Sequence, residues 1–118
     1  MQNMKRVLSV IVLSALILLA LTTIGCGRAT RIGDILANTS QYEGKDLTIM
    51  GTVGETAWFA LLGKGAYQLG DGSGTIWVVT TQPPPQKGLS ISASGKVQSA
   101  FSLGGQSYGT VLVETQRK

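Results

Sequence analysis

The sequence predicts an all-β protein, a five-stranded Greek-key barrel with a short N-terminal helix, after a cleaved signal peptide. Three observations carry this. Alternating apolar and polar side chains recur between residues 46 and 115, the pattern of strands with one buried face. Glycine and proline, rather than stretches of helical period, separate these runs. Residues 67–80, Y-Q-L-G-D-G-S-G-T-I-W-V-V-T, place two such runs about Gly72-Ser73, a pair suited to a two-residue hairpin turn.

The chain begins differently. Lys5 and Arg6 precede an uncharged apolar run, Val7 to Leu21, and no further charge occurs before Arg28. A basic start, a run shorter than the ~20 residues of a membrane-spanning helix and a small-residue ending read as a secretory signal. The only cysteine, Cys26, closes the segment in L-T-T-I-G-C-G. This ending resembles the lipoprotein signal of bacteria, with Ile24 and Gly25 in place and Thr23 where leucine is commoner. The resemblance implies cleavage before Cys26, lipid on its sulfur and anchoring in the cell envelope. Gly27 after the cysteine is similar to the pattern that sends lipoproteins to the outer membrane, facing the periplasm, in hosts with two membranes. The chain then divides into a signal peptide (1–25), a lipidated tether (26–30) and one domain (31–118).

With Lys5 and Arg6 removed, eight basic and six acidic residues remain, so the mature part carries about +2 and has little to draw a polyanion. With Cys26 acylated no thiol is left for a disulfide, and the domain holds together by packing.

Along the domain, Ile32, Ile35 and Leu36 fall at helical spacing. They predict a two-turn helix over 31–37 that plugs one end of the barrel, with Tyr42 packing down after it. Strand one is expected over 46–55, with a bend at Gly51. Residues 56–65 either extend that strand or form a loop presenting Trp58 and Phe59. The hairpin supplies strands two and three. Register about Gly72-Ser73 places Leu69 opposite Ile76 and Tyr67 opposite Val78 on the inner face, with Gln68 opposite Trp77 on the outer one. Pro83, Pro84 and Pro85 make an extended connector without a helix. Strand four is expected over 89–97, with Ser90, Ser92 and Ser94 outward. Gly104-Gly105 marks a turn, and strand five follows over 109–115. Ile49, Leu69, Ile76, Val78, Ile91 and Val111 are the expected core.

The phrases Y-E-G-K-D-L-T-I-M-G-T-V (42–53), Y-Q-L-G-D-G-S-G-T-I-W-V (67–78) and G-L-S-I-S-A-S-G-K-V (88–97) resemble OB-fold domains of the anticodon-binding-like and periplasmic type. The proline connector stands where many relatives carry a helix. The resemblance implies a binding module and leaves its ligand open.

The chain contains no histidine, so the usual Ser-His and Cys-His pairs and the commonest zinc ligand are missing from the sequence. Its carboxylates are dispersed. Asp71-Gly72-Ser73-Gly74 reads as a turn rather than a calcium loop. The expected function is therefore non-catalytic, with neither cofactor nor metal. Trp77 and Gln68 are the expected ligand-binding pair on the outer face, flanked by Trp58 and Lys64. An oligosaccharide, a nucleic acid or a peptide would stack there, and loss of Trp77 would leave stability nearly unchanged. The alternative is an envelope assembly protein docking a partner through the same face or through Met50.

Overall fold

The computed structural model describes residues 29–118. Cys26 and the run Val7 to Leu21 lie outside the described residues. Two short helices, α1 (Ile32–Ala37) and α2 (Thr39–Tyr42), precede five strands. These are β1 (Asp46–Phe59), β2 (Lys64–Gly70), β3 (Thr75–Thr80), β4 (Ser90–Leu103) and β5 (Gln106–Arg117). They close into one barrel in the order β1-β2-β3-β5-β4, with β4 returning to β1. All neighbours are antiparallel except β3 and β5. The five-stranded all-β barrel expected from the alternation is the fold that forms.

The central hairpin has the expected register, with Leu69 opposite Ile76, Tyr67 opposite Val78 and Gln68 opposite Trp77. Gly72 takes φ 88°, which the turn requires and which few other residues adopt cheaply. Ile49, Leu69, Ile76 and Val78 enter the barrel interior with Ile32, Ile35, Val53 and Leu112, and Ile91 packs against them half-buried. Val111 is buried but does not point into the barrel. It lies in a second cluster outside the wall, and Leu112 takes the inner place. Apolar side chains occupy both faces of β5 here, so alternation alone could not choose between them.

A closed barrel of long strands must turn corners. β1 pairs with β4 up to Thr52 and with β2 from there onward, and β4 likewise serves β1 and β5. Gly51 and Gly95 stand at these transfers. A Cβ on Gly51 would run into the Gly70 carbonyl, and one on Gly95 into the Val113 carbonyl, so the close approach of strands at each corner needs glycine.

The elements are longer than alternation suggested. β1 runs on to Phe59 through a bulge between Val53 and Thr56 and ends in a 3₁₀ turn over Ala60–Leu62. This resolves residues 56–65 in favour of strand extension. β4 and β5 continue past the barrel as a two-stranded arm closed at Gly104-Gly105. Irregular register about Gln98–Phe101, with Ala100 at φ 53°, redirects that arm. It folds back across the outside of the wall. The proline connector carries no helix.

The helix plugs the barrel end, as expected, with Ile32 and Ile35 fully buried, though Leu36 stays largely exposed. No side chain of its own caps α1. The β2–β3 turn does so instead. The Asp71 carboxylate accepts the Ile32 N–H at 2.9 Å, and the Ser73 hydroxyl accepts the Gly33 N–H at 2.9 Å. Asp71 also accepts the N–H and the hydroxyl of Ser73, so the turn is braced before it reaches the helix. Two of the four free N–H groups at a helix start are thus satisfied from forty residues away in sequence.

Two outcomes test this architecture. Leu69→Ala and Ile76→Ala should each cost about 2–5 kcal/mol in denaturant unfolding, and a loss below ~0.5 kcal/mol at both would place these side chains on the other face. Asp71→Ala should cost about 1 kcal/mol at neutral pH. The Asp71 carboxyl is held below its ordinary value: desolvation opposes this, and the hydrogen bonds from Ser73 and Ile32 outweigh it. A lowered folded value stabilises fully above the ordinary carboxylate range and is lost as pH falls through the folded value. Unfolding curves of wild type and variant should therefore converge in acid; a constant gap down to pH ~2 would contradict the ionised cap.

Candidate functional site

The outer face of β2 and β3 was the expected ligand surface, and the arm occupies much of it. Phe101 and Leu103 from β4 and Tyr108 from β5 lie over Ala66, Trp77, Val79, Val111 and Val113, forming an apolar cluster outside the barrel. The Trp77 indole meets the Tyr108 ring edge-on, centroids 4.9 Å apart and planes at 73°. Trp77 is partly buried by this packing, and part of its surface is given to the protein itself.

Gln68 stands opposite Trp77 as expected, and its side-chain oxygen accepts the Glu55 N–H at 3.3 Å. Lys64 shares that face by alternation along β2. Trp58 does not. The bulge between Val53 and Thr56 shifts the phase of β1, pairing Trp58 with Gly65 and laying its ring over that glycine. Gly65 is in phase with Tyr67 and Leu69, so Trp58 belongs to the face opposite Trp77. The structure brings Trp77, Gln68 and Lys64 to one face and separates Trp58 from them.

An open concavity lies instead along β1 and β4. Outward residues of the two strands stand in register, Thr48 with Ser94, Met50 with Ser92 and Thr52 with Ser90. The latter two pairs, with Gly70 to Gly72 at one end and Lys118 beside Ser92, line a groove of about 620 Å³. A smaller, more enclosed depression of about 240 Å³ continues it past Thr48 and Ser94 to Gln116. The C-terminus is held there by a backbone pair, Ser92 N–H to the Lys118 carbonyl and the reverse, at 2.9 and 2.8 Å. The Thr48 and Ser94 hydroxyls are 2.7 Å apart. Met50 rises from the centre of this floor, 57% exposed. The surface offers neutral hydroxyls, main-chain groups, one thioether, one ammonium and, at the turn, the acidic Asp71. The outward phase of Ser90, Ser92 and Ser94 was legible in the sequence. That β1 would set Thr48, Met50 and Thr52 beside them was not, because pairing of sequence-distant strands leaves no local signal.

A polar group that sequence reading passed over is buried inside the barrel. Glu114, with its side chain 4% exposed, accepts hydrogen bonds from the Tyr67 hydroxyl, the Thr80 hydroxyl at 2.8 Å and the Arg117 Nε at 3.2 Å. Arg117 also donates to Thr80 Oγ1 and the Pro83 carbonyl, both at 3.1 Å, with its guanidinium over the Tyr67 ring. Burial, then the bonded Glu114, push the Tyr67 hydroxyl far above its ordinary value, so it stays a donor. Every member is paired within the network. Among the described residues, no three of His, Cys, Asp or Glu converge as a metal-holding group.

No family model matches this chain, and no curated protein matches it in sequence.

Packing against Tyr108 changes what substitution of Trp77 should do. Trp77→Ala removes an aromatic pair and opens the outer cluster, so it should cost about 1–3 kcal/mol in stability, contrary to the expectation of a freely exposed stacking plate. An unchanged melting temperature would show that the arm contributes nothing to holding that face.

Proposed function

We propose that this chain is a membrane-anchored extracytoplasmic binding module. In this reading lipid on Cys26 holds it to the envelope, and a non-catalytic OB-fold barrel takes a ligand in the groove along β1 and β4. The strand order β1-β2-β3-β5-β4 supports the OB-fold reading. The observation that carries the ligand site is the groove itself, an open floor of hydroxyls in register beside an exposed methionine. Hydroxyls and main-chain groups exchange hydrogen bonds with the hydroxyls of a sugar, and a thioether packs against its apolar face. An oligosaccharide fits that chemistry better than a nucleic acid, whose phosphates would find one ammonium, that of Lys118, in a groove that Asp71 also lines.

A second reading rests on Met50. A flexible apolar side chain this exposed at the centre of a concavity also suits a protein partner, as in an assembly protein of the envelope.

Both readings are tested on the full protein by calorimetric titration with N-acetylglucosamine oligomers, oligothymidine and an uncharged peptide. Ser92→Trp fills the groove without touching the core. Binding of the oligosaccharide at micromolar or weaker affinity, lost in Ser92→Trp with the melting temperature kept, is the expected result. Binding that survives Ser92→Trp and disappears in Trp77→Phe would move the site to the arm-covered face. Stoichiometric co-purification of one protein that Met50→Ser releases would favour the assembly role.

A further inference from the structure

The β1–β2 hairpin ends in an apolar tip that the barrel does not use. Leu61 is fully exposed at 102%, Leu62 at 53% and Trp58 at 41%. Scattered exposed leucines are ordinary, but three large apolar side chains at one tip form a patch. The tip is also built to stay out. Ala60–Leu62 form a 3₁₀ turn closed by the Gly63 N–H on the Ala60 carbonyl at 3.2 Å, with Gly63 in the left-handed region. Beneath it, the Phe59 ring packs against Gly104 at the end of the arm, where a Cβ would strike the ring. Leu61 is thereby held away from the protein rather than left to fold onto it.

The charge pattern narrows what such a tip can meet. Between Glu55 and Asp71 the only charged residue is Lys64, and the adjoining arm carries none from Gln98 to Val113. The tip and the arm beside it thus carry one charged residue, Lys64, while Glu114, bonded to Thr80 across from Gly65, is buried and paired with Arg117. We infer that the tip formed by Trp58, Leu61 and Leu62 inserts into a lipid bilayer. The leucines enter the acyl region, the indole rests at the headgroup level where tryptophan is favoured, and Lys64 meets anionic headgroups. A bilayer asks for no shape complementarity and no directional partners, and the tip's side chains supply none beyond the indole N–H.

The inference rests on the reading that Cys26 holds the chain at a membrane. Three side chains bind lipid weakly by themselves and gain from confinement near a surface. It also fixes an orientation. The chain enters the barrel where Thr30 N–H meets the Thr48 carbonyl and α1 meets the Asp71 turn. The tip lies at the opposite end of β2, ~20 Å away for a strand of this length. Contact at both ends lays the barrel along the bilayer instead of standing it on its tether.

The full protein, extracted from its membranes and reconstituted into phosphatidylcholine vesicles with and without phosphatidylglycerol, tests this. Lipids brominated on the acyl chains should quench Trp58 emission, identified by its absence in Trp58→Phe. Leu61→Ser with Leu62→Ser should abolish the quenching with a nearly unchanged melting temperature, since Leu61 packs on nothing and Leu62 only in part. Lys64→Glu should weaken it only in vesicles containing phosphatidylglycerol. Quenching of Trp58 by aqueous iodide but not by brominated lipid would overturn the inference. Shielding from both quenchers would overturn it equally and assign the tip to a protein. The mass of the N-terminal peptide is read on the same sample. Bromine quenching with an unacylated Cys26 would remove the anchor and leave the tip, whereas an acylated Cys26 without quenching would do the reverse.

Discussion

Closure of this barrel rests on a buried carboxylate. Parallel pairing of β3 with β5 is what converts a curved sheet into a ring, and it spans only Trp77–Val79 against Val111–Val113. Immediately beyond that short ladder, Glu114 ties β5 to β2 through Tyr67 and to β3 through Thr80. Arg117 then reaches from β5 to the carbonyl of Pro83, fastening the connector that leaves β3. A carboxylate at 4% exposure is tolerable only if its lone pairs are met, and three donors meet them. Such a group adds little net stability over a well-packed apolar one, yet leaving it unpaired costs about 3–5 kcal/mol. The network thus penalises any register of β5 except the one observed. Hydrophobic burial alone does not supply that selection, because β5 is apolar on both faces around Val111 and Leu112.

The two apolar faces of β5 have a second consequence. The arm beyond the irregular register at Gln98–Phe101 doubles back and covers the outside of β2 and β3, giving the domain a small outer core in addition to the barrel interior. For a short chain whose one cysteine is outside the domain, a second layer is a way to bury more apolar surface without a disulfide. It also removes part of the outer face from contact with ligands. What remains open is the β1–β4 groove on one side and the hairpin tip at one end, and both belong to β1.

Much of this architecture was legible in local pattern. The alternation of residues 67–80 about Gly72-Ser73 yielded the hairpin register, and Gly51 and the Ile32/Ile35 spacing yielded the corner and the plug. What stayed hidden depends on contacts between distant segments. Val111 reads as core by alternation, but alternation cannot say which face is inside when an arm buries the other. Trp58 was expected beside Trp77, and a single extra residue in β1 turned it to the opposite face. Glu114 looked like one dispersed carboxylate among six, since Tyr67, Thr80 and Arg117 approach it only after folding. The helix cap was invisible for the same reason, its acceptors lying on a turn forty residues away.

The bulge in β1 is therefore more than a local irregularity. Before it, the outward phase is Thr48, Met50 and Thr52, which pair with the serines of β4 and make the groove. After it, the phase is shifted, so Phe59 rather than Trp58 joins the outer cluster under the arm. Were the same residues paired without the bulge, Trp58 would stand opposite Lys64, and the bulkier indole would occupy the place where the Phe59 ring now packs tightly against Gly104. Ala57 would then stand opposite Gly65, and the tip would lose its one side chain suited to a headgroup interface. One inserted residue thus lets a single strand form the groove in its first half and, in its second, both brace the arm and present an apolar end. The separation of those tasks is set in the backbone of β1, before any side chain at either surface is chosen.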